Sequence, residues 1–193
     1  MEPPPADARP ERVRLFVALA LPEAVQTELA AWAEDALHGD AALRLVPSEG
    51  LHVTLAFLGS RDASAVGEIA AATASAVAGT AAPLLEAGEL APLPRRRPRV
   101  IALDLIDPDG RVAALQSAVG AALAEAAAYE PESRRFRPHV TVARVRKGAH
   151  PAPRAPLRAP LPPFAATEVV LYRSELGPGG ARYTALSATA LHV

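Results

Sequence analysis

The chain has 193 residues, half of them hydrophobic, and a formal net charge of −1. That is enough apolar material for one domain or two small packed lobes, with no general attraction to polyanions. The absence of cysteine excludes disulfides, thiolate nucleophiles and cysteine-ligated metals, and no apolar run reaches the roughly 18 residues that a membrane helix needs.

Residues 1–11 read as a disordered, Pro-rich and charged tail, unlike a secretory signal, so a cytoplasmic protein is expected. Residues 12–193 then form a single domain. Val13–Leu19 is a strand, and Pro22 opens a helix over Glu23–Leu37 with Val25, Leu29, Trp32 and Leu37 apolar. Leu43–Val46 is a short strand, Leu51–Leu58 a longer one, Ala63–Ala78 a helix, and Leu84–Leu90 a strand. The order then restarts. Arg99–Leu105 is a strand, Asp107-Pro108-Asp109-Gly110 a turn, and Val112–Ala127 a helix with Val112, Leu115, Val119 and Leu123 on one stripe. A strand follows Pro138. Residues 148–163 are a Pro-rich surface loop. Phe164–Ser174 and Arg182–Leu191 close the chain as strands, joined through Gly177-Pro178-Gly179-Gly180 as a hairpin connection. Two similar lobes, about 12–98 and 99–193, are implied.

The repeat is sharpest at one tetrapeptide. His52-Val53-Thr54-Leu55 recurs as His139-Val140-Thr141-Val142, and each copy lies 39 residues after its lobe's first strand, counted from Val13 and from Val100. On a strand, alternate side chains share a face. Each His–Thr pair therefore projects from one face while Val53, Leu55, Phe57, Val140 and Val142 turn to the core. Backbone-satisfied strand histidines are the bland alternative, but the duplication argues against them. Ordinary strand propensity would explain the threonines alone.

Two imidazoles facing each other across a cleft can serve one atom as base and acid near neutral pH. Threonine hydroxyls beside them can donate to a developing oxyanion. Phosphorus suits this arrangement, because in-line displacement needs a base at the entering oxygen and an acid at the leaving one. No metal-ligand motif and no phosphate-cradling Gly loop is present, so neither metal nor cofactor is expected. Metal-free chemistry favours a substrate with a strained ring, such as an RNA 2′,3′-cyclic phosphate.

These motifs carry a family resemblance. The segments RLFVALALP (14–22), LHVTLAFLG (51–59), FRPHVTVAR (136–144) and LYRSELGPGGARY (171–183) resemble the two-histidine (2H) phosphoesterase superfamily. Within it they resemble the LigT/ThpR branch of RNA 2′,3′-cyclic phosphodiesterases, first named for 2′-5′ RNA ligase activity. The resemblance implies an α+β fold of two similar lobes whose antiparallel sheets form a concave central cleft, with helices outside. It implies hydrolysis of RNA 2′,3′-cyclic phosphate ends to 2′-phosphates, with His52 as proton donor, His139 as proton acceptor, and Thr54 and Thr141 on the non-bridging oxygens. The alternatives are 2′-5′ ligation of RNA at the same site and a nucleotide-binding module with weak turnover. RNA ends or cyclic nucleotides are the expected partners, and a monomer the expected state.

Arg144 closes the second motif within reach of a phosphate, but its parity opposes His139 unless the strand bulges or ends. The runs Arg95–Arg97 and Arg134–Arg137 either steer an RNA backbone or, more plainly, form solvated basic loops. His38, His150 and His192 read as surface residues. No chemical role is evident for Arg173 or Tyr183.

Overall fold

The computed structural model describes residues 11–127, 129–132, 134–177 and 180–192. The expected tail, apart from Glu11, and the centre of the last hairpin connection lie outside them. Twelve elements run in the order β1 (Arg12–Ala20), α1 (Glu23–Ala36), β2 (Leu43–Leu45), β3 (His52–Asp62), α2 (Val66–Val77), β4 (Leu84–Leu93), β5 (Val100–Ile106), α3 (Arg111–Ala127), β6 (His139–Val145), β7 (Phe164–Ala165), β8 (Glu168–Gly177) and β9 (Gly180–Ala190).

Local chemistry explains the helices. Pro22 caps α1 and accepts the Gln26 N–H through its carbonyl at 2.9 Å. Val25, Leu29 and Ala33, spaced at successive turns, are its buried stripe. The Asp107 turn doubles as the cap of α3: its carboxylate accepts the N–H groups of Val112 at 3.2 Å and Ala113 at 3.0 Å. Val112, Leu115, Val119 and Leu123 are buried as the spacing predicts. The expected second helix divides into a 3-10 turn, Ala63–Ala65, followed by α2.

All nine strands join one curled sheet in the order β7-β4-β5-β6-β3-β1-β8-β9, with β2 also on β6. Every ladder is antiparallel. The two motif strands meet through one register pair, Val53 opposite Val140. These are the same position of the two motifs, which is what a local two-fold axis between them produces. One face of the sheet and the helices share a core that includes Leu15, Val17, Leu19, Val53, Leu103, Val140 and Val142 from strands and Leu29, Ile69, Leu115 and Leu123 from helices.

The two groups of strands are not the contiguous halves expected from the spacing. β4 follows the first motif strand but pairs with β5, while β8 follows the second and pairs with β1. Each lobe thus lends a strand to the free edge of the other. The stretch Phe164–Ser174 is likewise two strands: β7 joins β4 at one end of the sheet, and β8 joins β1 near the other. Spacing reports a repeat, but not which edge a strand will find. The Pro-rich loop is pinned down. The Asp40 carboxylate accepts the Ala152 N–H at 3.0 Å and the Arg154 guanidinium at 2.6 Å, and the Arg154 bond holds the Asp40 pKa below its usual value.

Candidate active site

The motif strands β3 and β6 are irregular in the same way. Along β1, Val17 faces Ala56 and Ala18 faces Thr54, leaving Leu55 as an extra residue. Along β5, Ile101 faces Ala143 and Ala102 faces Thr141, leaving Val142 extra. These are β-bulges, and each shifts the alternation of side chains by one. Leu55 and Ala56 are both buried, as are Val142 and Ala143. The next residue in each strand, Phe57 or Arg144, therefore returns to the face of the histidines. Phe57, expected in the core, is 48% exposed, and the Arg14 guanidinium lies over its ring at 5.4 Å. Arg144 needs the bulge that its parity required, and the bulge is there. It donates to the Tyr183 hydroxyl at 3.1 Å.

Both imidazoles are held by the same bond. His52 Nδ1 lies 2.8 Å from the Gly50 carbonyl, and His139 Nδ1 lies 2.8 Å from the Arg137 carbonyl. A carbonyl can only accept, so Nδ1 is the protonated nitrogen in each neutral ring. That leaves Nε2 of both histidines free to exchange a proton. Gly50 is the buried end of a 3-10 turn, Ser48–Gly50, and a Cβ there would come within 2.9 Å of Val46 Cγ1.

Their surroundings differ. His52 sits among rings, with centroids 4.8 Å from Phe16, 5.3 Å from Tyr183 (edge-on) and 6.1 Å from Tyr172. Burial pushes its pKa down to about 4; the Arg144 and His139 charges add to this, and the bond to Gly50 opposes it. Burial likewise raises the Tyr172 hydroxyl. His139 instead faces Asp104 across β5 and β6, and Asp104 pairs with Arg137. The other Asp104 oxygen is buried without a hydrogen-bond partner among the described residues. At the matching place in β1, Ala20 faces His52.

Two cavities open on this face. One, of about 380 Å³, holds His52, Phe16, Arg14, Arg44, Arg144 and Tyr183 in its walls. The other, of about 890 Å³, has His139 in its lining. Thr54 and Phe57 line both, so the two cavities adjoin. Thr141 is half-buried opposite Ala102 and lines neither. Among the described residues, no group of three His, Asp or Glu side chains converges as a metal site would require.

The family model for the 2′-5′ RNA ligase superfamily matches residues 21–178. The chain belongs to this superfamily. It is 29% identical over 190 residues to the RNA 2′,3′-cyclic phosphodiesterase of Escherichia coli K12, covering 94% of this chain and 98% of that protein. Among solved structures, a protein of Thermus thermophilus aligns with a TM-score of 0.79 at 29% identity, over 92% of this chain and 97% of its own. Escherichia coli LigT bound to 3′-AMP aligns with a TM-score of 0.77 at 26% identity, over 95% and 100%. The α+β fold expected from the motifs is the fold of these relatives.

Several residues of this superfamily member's cleft escape a reading of the motifs alone. Arg14 and Phe16 lie in the strand before the first motif, and Tyr172 and Tyr183 in the hairpin after the second. Arg44 comes from β2. The segments around four of them carry the family resemblance, but only the pairing of β1 with β3 and β8 brings them beside His52. His38, His150 and His192 are exposed, as expected.

Proposed function

We propose that this chain hydrolyses RNA 2′,3′-cyclic phosphate ends to 2′-phosphates, using His52 and His139 as acid and base. One observation carries the reading: two histidines at equivalent places of a duplicated motif, each with Nδ1 tied to a carbonyl, line two cavities that share Thr54 and Phe57. The phosphodiesterase named for Escherichia coli, of nearly the same length, supports it.

His139 Nε2 takes a proton from water, whose oxygen attacks phosphorus. The bond from phosphorus to the 3′ oxygen breaks, and His52 Nε2–H gives that oxygen its proton. Burial makes the His52 imidazolium a strong acid. The anionic phosphate supplies the counter-charge under which His52 becomes protonated, and the ring releases the proton as charge moves onto the leaving oxygen. Arg144 stabilises the charge on the non-bridging oxygens. Thr54 donates to one of them, and Thr141 does so as its counterpart in the second motif.

Acid, base and cation all come from side chains, so hydrolysis is metal-independent. The protein works in the cytoplasm as a monomer on RNA ends. Ligation of RNA halves through a 2′-5′ bond is the second reading, favoured by the superfamily's description. Incubation with a cyclic-phosphate-ended oligoribonucleotide and a chelator, with and without a 5′-hydroxyl strand, tests both. A 2′-phosphate product is expected. A 3′-phosphate, or activity only with added divalent ion, overturns the mechanism, and predominant joining of the strands favours ligation. If binding without turnover is all that is seen, the chain is a nucleotide-binding module.

A further inference from the structure

Both arginine runs are exposed, but part of each lines one cavity. Arg97 and Arg99, from the turn between β4 and β5, line the same cavity as Arg134, Arg135 and Arg137, from the segment before β6. Arg95 and Arg96 turn away, toward the Pro-rich loop. Among the described residues, Glu132 is the one carboxylate in the cavity's lining. Arg137 pairs with Asp104, but Arg97, Arg99, Arg134 and Arg135 have no ion-pair partner among the described residues. Two segments far apart in sequence therefore bring unpaired cations of one sign together, in a protein whose net charge is −1. Such repulsion is relieved by a polyanion.

Size and lining narrow the class of ligand. The cavity, about 890 Å³, is more than twice the volume beside His52, about 380 Å³. A single phosphate leaves most of it empty, whereas several phosphates of one strand can meet arginines spread along its walls. Phe57 and Phe136 also line it. Aromatic faces among arginines are what an unpaired nucleic acid strand uses, through stacking and backbone contacts. Because Thr54 and Phe57 are shared, a strand in this cavity adjoins the cavity that His52 lines.

We propose that the arginine-lined cavity beside His139 is a second subsite, which binds the phosphates of an RNA strand one or more nucleotides from the end held between the histidines. This rests on the reading that the histidine pair handles an RNA end. It makes an oligonucleotide, rather than a cyclic mononucleotide, the preferred substrate.

The test compares a 2′,3′-cyclic mononucleotide with an oligoribonucleotide carrying the same cyclic end, in the parent and in Arg97→Gln and Arg134→Gln/Arg135→Gln variants. Affinity for a 2′-phosphate-ended oligoribonucleotide is measured alongside, across a salt series. The parent is expected to favour the oligonucleotide. The variants should lose about ten-fold or more in its kcat/KM, the usual cost of a lost charged contact, while the mononucleotide rate moves less than two-fold. Each lost contact should also flatten the slope of log affinity against log salt by about 0.7. Equal kcat/KM for the two substrates in the parent, or equal slowing of both in the variants, overturns the subsite. If the parent hydrolyses neither substrate, the catalytic reading fails. The affinities then decide the subsite on their own: weaker binding by the variants supports it, and unchanged binding overturns it.

Discussion

Phe57 and Arg144 occupy the same place in the two motif strands, and equivalent bulges turn both onto the face of the histidines. The duplication thus supplies one aromatic and one cationic side chain beside a pair of otherwise matched histidine positions. Arg144→Gln should lower turnover by roughly 10²-fold, as expected for a donor aimed at developing charge. Arg144→Lys should recover only part, since lysine lacks the fork that can meet Tyr183 and a phosphate together. Phe57→Ala should act mainly on KM. A Gln variant with the parent's kcat would remove Arg144 from the transition state.

Replacing either His52 or His139 with Ala should lower turnover by roughly 10²–10⁴-fold. The double variant should be little worse than the slower single one, because both act on one transition state. Thr54→Val keeps the strand's shape and removes the hydroxyl, at a smaller cost. Parent rates in both histidine variants would make the motifs structural.

The parity of a strand read from sequence holds only while the pleat is regular. It placed His52 with Thr54 and His139 with Thr141 correctly, because the bulges come after the threonines. It misplaced Phe57 because Leu55 is the extra residue on β3, and nothing in LHVTLAFLG marks a bulge without its neighbour β1. The same gap left Arg144 undecided. Lobe boundaries failed for a related reason: the edges that β4 and β8 join are set by partners distant in sequence. The tyrosines beside His52 became legible only once β8 was paired with β1.

The depressed pKa of His52 has a thermodynamic consequence. Its folded value is about 4 against an ordinary 6.5. Between these values the unfolded chain takes up a proton that the folded chain refuses. Stability should therefore fall as pH drops through that window and level off below it, by up to about 3 kcal/mol from this group. Urea unfolding at about pH 7 and about pH 4.5 measures it, and His52→Gln should flatten the difference. Inorganic phosphate should flatten it in the parent too, since a bound anion favours the imidazolium. An equal slope in the Gln variant would assign the pH dependence to other groups.

Gly50 offers a way to move His52 without touching it. The Gly50 carbonyl holds His52 Nδ1 at 2.8 Å, and a Cβ at Gly50 would stand 2.9 Å from Val46 Cγ1. Something must shift, and Val46 is a short, branched side chain packed against the core, with little freedom to swing aside. The turn therefore moves, and the carbonyl moves with it. Gly50→Ala should lower kcat by about ten-fold or more, because small displacements of an acid or base are costly, while the strands beyond stay folded. Val46→Ala removes the methyl group that Cβ would meet. The double variant should regain most of the lost rate despite carrying two changes, a coupling that independent defects do not show. Circular dichroism and thermal unfolding separate this from a general loss of structure. If Gly50→Ala keeps the parent's kcat, the carbonyl does not set the ring's position. If Val46→Ala fails to restore a lost rate, the clash is not the cause.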